Sequence, residues 1–406
     1  MPRDDATVVT VMIGFKVGSR DEDDKDSGVS HFLEHMAYKG TTKRPTPQSI
    51  AEFIDGLGAG HNAFTAKDHT GYYVKLSPDH ITDAFDFLSD IVINSTIPEV
   101  EVEKERNVIL EEIKMYEDMP MYLAAEEFEK AVHQDGDLAR LIIGTRDTVK
   151  HMTREQILEY KSSHYFANNA VLLIVGNLGD KTEQELTDLT EKYFTLQEKA
   201  KSAGKELRTK SVKKLNIINK KTEQSNLVIG FPACGIEDED YYAVKLMAKI
   251  LGGSMSSRMW THVRENLCLA YEIETGYSSF LGEGYVATYA GVSNDKVEKA
   301  TEAILHEYNA MKSGDISDSE IARAKEIIKG RILIDVEDSG GIAHDFLYDE
   351  LMLGEIEPYN IEIEKFNSVT KDDITRVANK FLDLSKIVFS GVGPEIADTS
   401  ILSLLK

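Results

Sequence analysis

Thr153-Arg-Glu-Gln156, then Ile157 and Tyr160, then the apolar run Val171-Leu-Leu-Ile-Val175 closed by Gly176, is the stretch that decides how this chain is built. It returns at a shift near 217 residues as Thr370-Lys-Asp-Asp373 with Ile374 and Val377, followed by Ile387-Val-Phe-Ser390 and Gly391. In both copies a Thr oxygen can accept the free amides of a first helical turn, so each opening predicts a helix start. The run before each glycine predicts a strand.

Working outward, Asp79-His-Ile-Thr-Asp-Ala84 matches Asp295-Lys-Val-Glu-Lys-Ala300, each beginning a helix. The loops behind them lead to Ile97 with Val108-Ile109, and to Ile316 with Ile327-Ile328. Two ordered matches at nearly one offset indicate a duplication. The 406 residues suit two domains, each of roughly 200 residues. Residues 197–214 are rich in Lys, Glu, Ser and Gly, lack an apolar period and read as the linker. The expected organisation is therefore 1–196, a linker at 197–214, and a homologous domain at 215–406. Strands such as 7–17 and 226–231 fall toward the ends of each half, with long amphipathic helices between them, so the expected class is α+β.

Composition excludes several classes of function. The chain is 42% hydrophobic and holds no run near the roughly 20 apolar residues that cross a bilayer. Its opening, Met-Pro-Arg-Asp-Asp, is not a charged-then-apolar secretory signal. A cytoplasmic protein without a membrane partner is the expectation. The two cysteines, Cys234 and Cys268, make neither a disulfide framework nor a cysteine-rich metal site. A formal charge of −24 argues against a nucleic-acid partner, which would want a basic face.

The chemistry lies in Ser30-His31-Phe-Leu-Glu34-His35-Met-Ala-Tyr-Lys39. No Pro or Gly interrupts it, and it predicts a helix started by Ser27 or Ser30. His31 and His35, four apart, share one helix face and can bind one cation through neutral imidazole nitrogens, zinc being the usual choice. Glu34 points to nearly the same face and can reach a zinc-bound water without ligating. Zinc brings such a water to a pKa of about 7, and a neighbouring carboxylate can take its proton and return it to a leaving amine. This order inverts the His-Glu-x-x-His arrangement.

Catalytic zinc wants a third protein ligand and one open position. Residues 98–116 predict a helix in which Glu105 and Glu112, two turns apart, share a face, with Val108 and Ile109 on the buried side. In the repeat, Glu105 aligns with Ala324 and Glu112 with Arg331, and the stretch matching the histidine helix, 241–253, has no histidine. All the ligand candidates thus lie in the first half.

These residues resemble the pitrilysin-type (inverzincin) zinc peptidases, the group that includes insulin-degrading enzyme and the mitochondrial processing peptidase. The resemblance spans nearly the whole chain. It implies that His31, His35 and Glu112 hold one zinc per chain, that Glu34 is the base and that Glu105 supports the site from behind. It further implies two homologous domains, each a mainly antiparallel sheet packed with helices. Gly58-Ala-Gly-His61-Asn62-Ala63-Phe-Thr65 resembles the family's edge strand, where Asn62 and Ala63 would pair with substrate backbone. Arg264 and Tyr271 resemble its substrate-binding pair, implying that they polarise the scissile carbonyl opposite the zinc.

The chain departs from the family at Cys268, where glycine is usual. It also begins almost at strand 7–17, where relatives carry one more strand, and an unpaired sheet edge is expected there. Short members pair to enclose a chamber, so a homodimer is implied, with a heterodimer with a related chain as the other possibility. The expected activity is a zinc metalloendopeptidase acting on short or unfolded peptides. The alternative is a non-catalytic or partner-dependent subunit of a processing-peptidase-like complex.

Overall fold

The computed structural model describes residues 1–3, 5–134, 136–199 and 212–406, so most of the expected linker, 200–211, lies outside the described residues. β1 (Val9–Phe15) is buried along its whole length, as a strand covered on both faces must be. With β2 (Gly60–Thr65), β3 (Thr70–Leu76) and β4 (Ala170–Gly176) it makes an antiparallel sheet in the order β2-β3-β1-β4. The second sheet comprises β5 (Leu215–Asn219), β6 (Ser225–Ala233), β7 (Ala270–Phe280), β8 (Glu283–Val292) and β9 (Val388–Gly393), in the order β5-β9-β6-β8-β7. Its pairings are antiparallel except for β5 with β9. The class is α+β, and β1, β2, β3 and β4 have counterparts in β6, β7, β8 and β9 at matching places in the second sheet.

β5 has no full equivalent in the first sheet. There the outer edge of β4, expected to be unpaired, carries one parallel bridge from Pro2 to Gly176, and the Arg3 amide donates to the Gly176 carbonyl at 2.8 Å.

The two repeated helix starts read from sequence, at Thr153 and Thr370, occur as expected. Thr153 caps Arg154–His164 by accepting from the Gln156 amide, and Thr370 caps Lys371–Phe381 by accepting from the Asp373 amide.

The described residues form two compact units that are not the two contiguous halves expected. One gathers Met1–Ile113, the described part of Arg140–Leu207, and Leu333–Glu357; the other gathers Lys114–Ala139, the described part of Arg208–Ile332, and Pro358–Lys406. Each unit therefore takes one helix from the other half of the chain. Packing explains both exchanges. The Pro120–Val132 helix buries Ala124, Phe128, Ala131 and Val132 against Val228, Ala287, Val388 and Val392 of the second sheet. Its counterpart, the Ser339–Leu353 helix, lies on β1 and β4. There Thr10 and Ser339 share a buried hydroxyl hydrogen bond of 2.9 Å, and Leu347 occupies the space a Cβ on Gly14 would need. Among the described residues no helix is long and apolar enough to cross a membrane.

Candidate metal centre

The histidine segment folds into the helix Val29–Ala37, burying Val29, Phe32, Leu33 and Met36 and leaving His31, Glu34 and His35 partly accessible. Its start differs from the expectation. Gly28, in the left-handed conformation at φ 94°, occupies the cap, and neither Ser27 nor Ser30 caps the helix with its side chain. Instead the buried Glu22 carboxylate accepts from the Gly28 amide at 2.7 Å and the Ser30 amide at 2.9 Å. An acceptor six residues upstream replaces the local one because it satisfies two free amides at once. Burial pushes the Glu22 carboxyl up to about 7 against the pull of those donors.

One turn apart, His31 and His35 bring their Nε2 atoms to 3.3 Å. The Glu99–Glu117 helix delivers Glu112, whose Oε2 lies 3.9 Å from His31 Nε2 and 3.8 Å from His35 Nε2. Ligands of a tetrahedral zinc at bond lengths of ~2.0–2.1 Å sit about 3.4 Å apart. This triangle matches that size to within half an ångström, and its two imidazoles and one carboxylate are a zinc donor set. Burial and the neighbouring His35 press the His31 pKa down to about 3, so this imidazole is neutral, as a ligand must be.

Two turns before Glu112, Glu105 is buried and accepts from His35 Nδ1 at 2.8 Å through one oxygen and from Lys39 Nζ at 2.7 Å through the other. Burial alone would raise the Glu105 carboxyl, but these two donors outweigh it and hold it below its usual range. The contact fixes which His35 nitrogen carries the proton and leaves Nε2 free to face a cation. Glu34 accepts from the Thr65 hydroxyl at 2.6 Å. Burial raises its carboxyl, which also senses His35 and Glu112. Lys39 and Thr65 were not singled out from sequence. The signal for Lys39 was its place four residues after His35; for Thr65 there was none, since its contact spans 31 positions.

β2 is an edge strand, with Asn62 exposed and Ala63 buried, opposite Tyr73 and Tyr72 of β3. Its outer side is available to an added strand.

Arg264 and Tyr271 belong to the second unit. The register of β7 against β8 breaks between Ala270 and Glu272, leaving Tyr271 as the extra residue of a bulge, 81% exposed. Bulges re-aim side chains in this way. Arg264 comes from the Met259–Asn266 helix, donates through Nε to the Tyr271 carbonyl at 2.7 Å, and stacks its guanidinium 3.9 Å from the centre of the Trp260 ring. Cys268 between them has φ 51°, in the left-handed region where glycine is the least strained residue. An open cavity of about 620 Å³ is lined by Arg264, Cys268, Tyr271, Gln224 and Gly291, among others.

A two-sheet α+β chain with a His-His-Glu triangle backed by a buried carboxylate has the architecture of a metallopeptidase. Comparison with known proteins agrees. Residues 2–146 match the family described as insulinase (peptidase family M16), and residues 151–328 match the peptidase M16 inactive domain. A protein named an uncharacterized zinc protease in Bacillus subtilis (strain 168) is 33% identical over 92% of this chain and 91% of its own length. One of the same description in Rickettsia felis is 33% identical over 97% of this chain and 94% of its own length. The crystal structure of a protease from Helicobacter pylori shares the fold with a TM-score of 0.88, at 23% identity and covering 97% of this chain and 96% of that one. The chain belongs to peptidase family M16, in its short two-domain form.

Proposed function

We propose that this chain is a zinc-dependent endopeptidase in which His31, His35 and Glu112 hold one zinc and Glu34 is the catalytic base. The observation that carries this reading is the convergence of the three candidate ligand atoms within 4.8 Å of one another, with Glu34 beside them. Zinc bound there supplies a Lewis acid toward the scissile carbonyl and the attacking water. The remaining roles fall to the chain's own groups. Glu34 takes a proton onto its carboxylate and returns it to the leaving amine, with the Thr65 hydroxyl holding the carboxylate in place. Glu105, itself held by Lys39, keeps the proton on His35 Nδ1. The open edge of β2 at Asn62 and Ala63 receives extended substrate through backbone hydrogen bonds, which favours short or unfolded peptides over folded ones. Arg264 and Tyr271 hold substrate and polarise its carbonyl, a role supported by the exposed bulge and the braced guanidinium. We further propose that the chain works as a dimer, a homodimer being favoured because one chain carries both the metal triangle and the Arg-Tyr pair.

Metal removal tests the reading. After dialysis against metal-free buffer, the purified chain should keep about one zinc ion, and a stronger chelator should abolish peptide cleavage until zinc is returned. Glu112→Gln should weaken retention. Unchanged zinc content and rate in that variant would remove Glu112 from the site.

A further inference from the structure

We propose a second cation site, in the second unit, formed by His262, His306 and Glu307 and taking a divalent transition metal of the zinc class. His262 lies on the Met259–Asn266 helix, while His306 and Glu307 are adjacent on the Val297–Lys312 helix. One ligand atom from each falls within 4.8 Å of the others. The two imidazole centres are 5.5 Å apart at 69°. Two histidines on one tetrahedral zinc place their ring centres about 5 Å apart, given bonds of ~2.0–2.1 Å, so this pair already has the required spacing.

The carboxylate explains why a cation is favoured here. Glu307 is 10% exposed at its side chain, and among the described residues its one hydrogen bond or ion pair is with His262 Nδ1, at 2.5 Å. A carboxylate this enclosed gains from a further positive partner. The proton of this hydrogen bond lies between the two atoms, which at 2.5 Å sit closer than two ligands of one metal, about 3.4 Å apart. A cation entering the site displaces that proton to solvent and spreads the pair by less than 1 Å (roughly the difference between those separations). His306 is exposed, so the ion has an open path and solvent can fill its remaining positions. Two nitrogens and one oxygen suit zinc or its neighbours and not calcium or magnesium, which want oxygen.

The position gives the site consequence. The Met259–Asn266 segment is wound as a π-helix, with the Leu267 amide donating to the His262 carbonyl at 3.0 Å, and it carries Arg264 two residues on. π-Turns are rare and gather at functional sites. A bound ion ties this segment to the Val297–Lys312 helix through His262. This inference does not depend on the metal centre of the first unit.

Equilibrium dialysis of the full chain against excess free Zn²⁺, with zinc counted per chain, tests it. His306→Ala changes an exposed side chain and leaves the buried Glu307–His262 contact in place, so the variant should fold. The native chain should hold about one zinc more than the variant, and a His31→Ala chain should show the same difference when His306→Ala is added. Should the metal centre of the first unit fail, the native chain would hold one ion and His306→Ala none, so the two failures are distinguishable. Equal zinc in the native chain and His306→Ala would overturn the proposal.

Discussion

The two halves of this chain place the same helix under different demands. In the first, Glu99–Glu117 carries Glu105 and Glu112 toward two histidines; in the second, Asp318–Asp335 carries Ala324 and Arg331 at the aligned positions. Glu105 and Ala324 are equally buried, 4% and 3% exposed. The position is therefore buried in both halves, and in the second it is filled by an alanine. Where it holds a carboxylate, that carboxylate must be matched by donors, and His35 and Lys39 supply them. The difference teaches that one helix position accepts either an alanine or a carboxylate, provided the carboxylate brings its donors with it. The exchanged helices teach the opposite about packing, since Pro120–Val132 and Ser339–Leu353 perform equivalent work on opposite sheets.

The comparison can be broken at several points. The largest effect should come from Glu34→Gln, which removes the proton carrier and leaves all three candidate ligands. We expect turnover to fall by about 10²–10⁴-fold with zinc content unchanged, measured by peptide cleavage beside metal analysis. Loss of zinc in this variant would contradict the role given to Glu34. Next is the exchanged packing. Phe128→Ala empties a buried aromatic site against Val228 and Val388, and should lower stability by ~3–5 kcal/mol, read from the urea midpoint. A change under 1 kcal/mol (about the cost of a tolerated hydrophobic swap) would mean that this helix does not hold the second sheet.

Glu105→Ala makes the first half resemble the second at its most informative position. It strips His35 and Lys39 of their shared acceptor, and should weaken zinc binding by about 10–100-fold, measured by competition with a chromogenic chelator. Undiminished affinity would show that Glu105 only fills space. The smallest effect concerns Cys268, whose left-handed backbone suits glycine. Cys268→Gly should leave stability equal or higher by up to ~1 kcal/mol, while a β-branched residue there should lower it by about 1–2 kcal/mol. The reverse order in thermal melts would remove the backbone explanation.

Much of this was legible in the sequence, for physical reasons that differ by residue. Thr153 and Thr370 announce their helices because a cap is a contact over three positions. His31, Glu34 and His35 announce themselves because helical periodicity fixes their shared face. Glu112 stood out from Glu111 by sharing a helix face with Glu105 two turns away, and the family resemblance implied it as the third ligand. What stayed hidden is non-local. Glu22 displaces the serines as helix cap from six residues away, and Thr65 meets Glu34 only once the strand has folded back. The helix exchange was hidden because an amphipathic period says that a face is buried and not which sheet buries it. The bulge at Tyr271 depends on a register that only the paired strand β8 reveals.

The most direct test of the central account is cleavage of a mixed, internally quenched peptide library by the purified native chain, run beside Glu34→Gln at equal zinc occupancy. The account predicts zinc-dependent cleavage by the native chain that is lost in the variant. Cleavage that persists in Glu34→Gln, or a zinc-loaded native chain that cuts nothing, would contradict it.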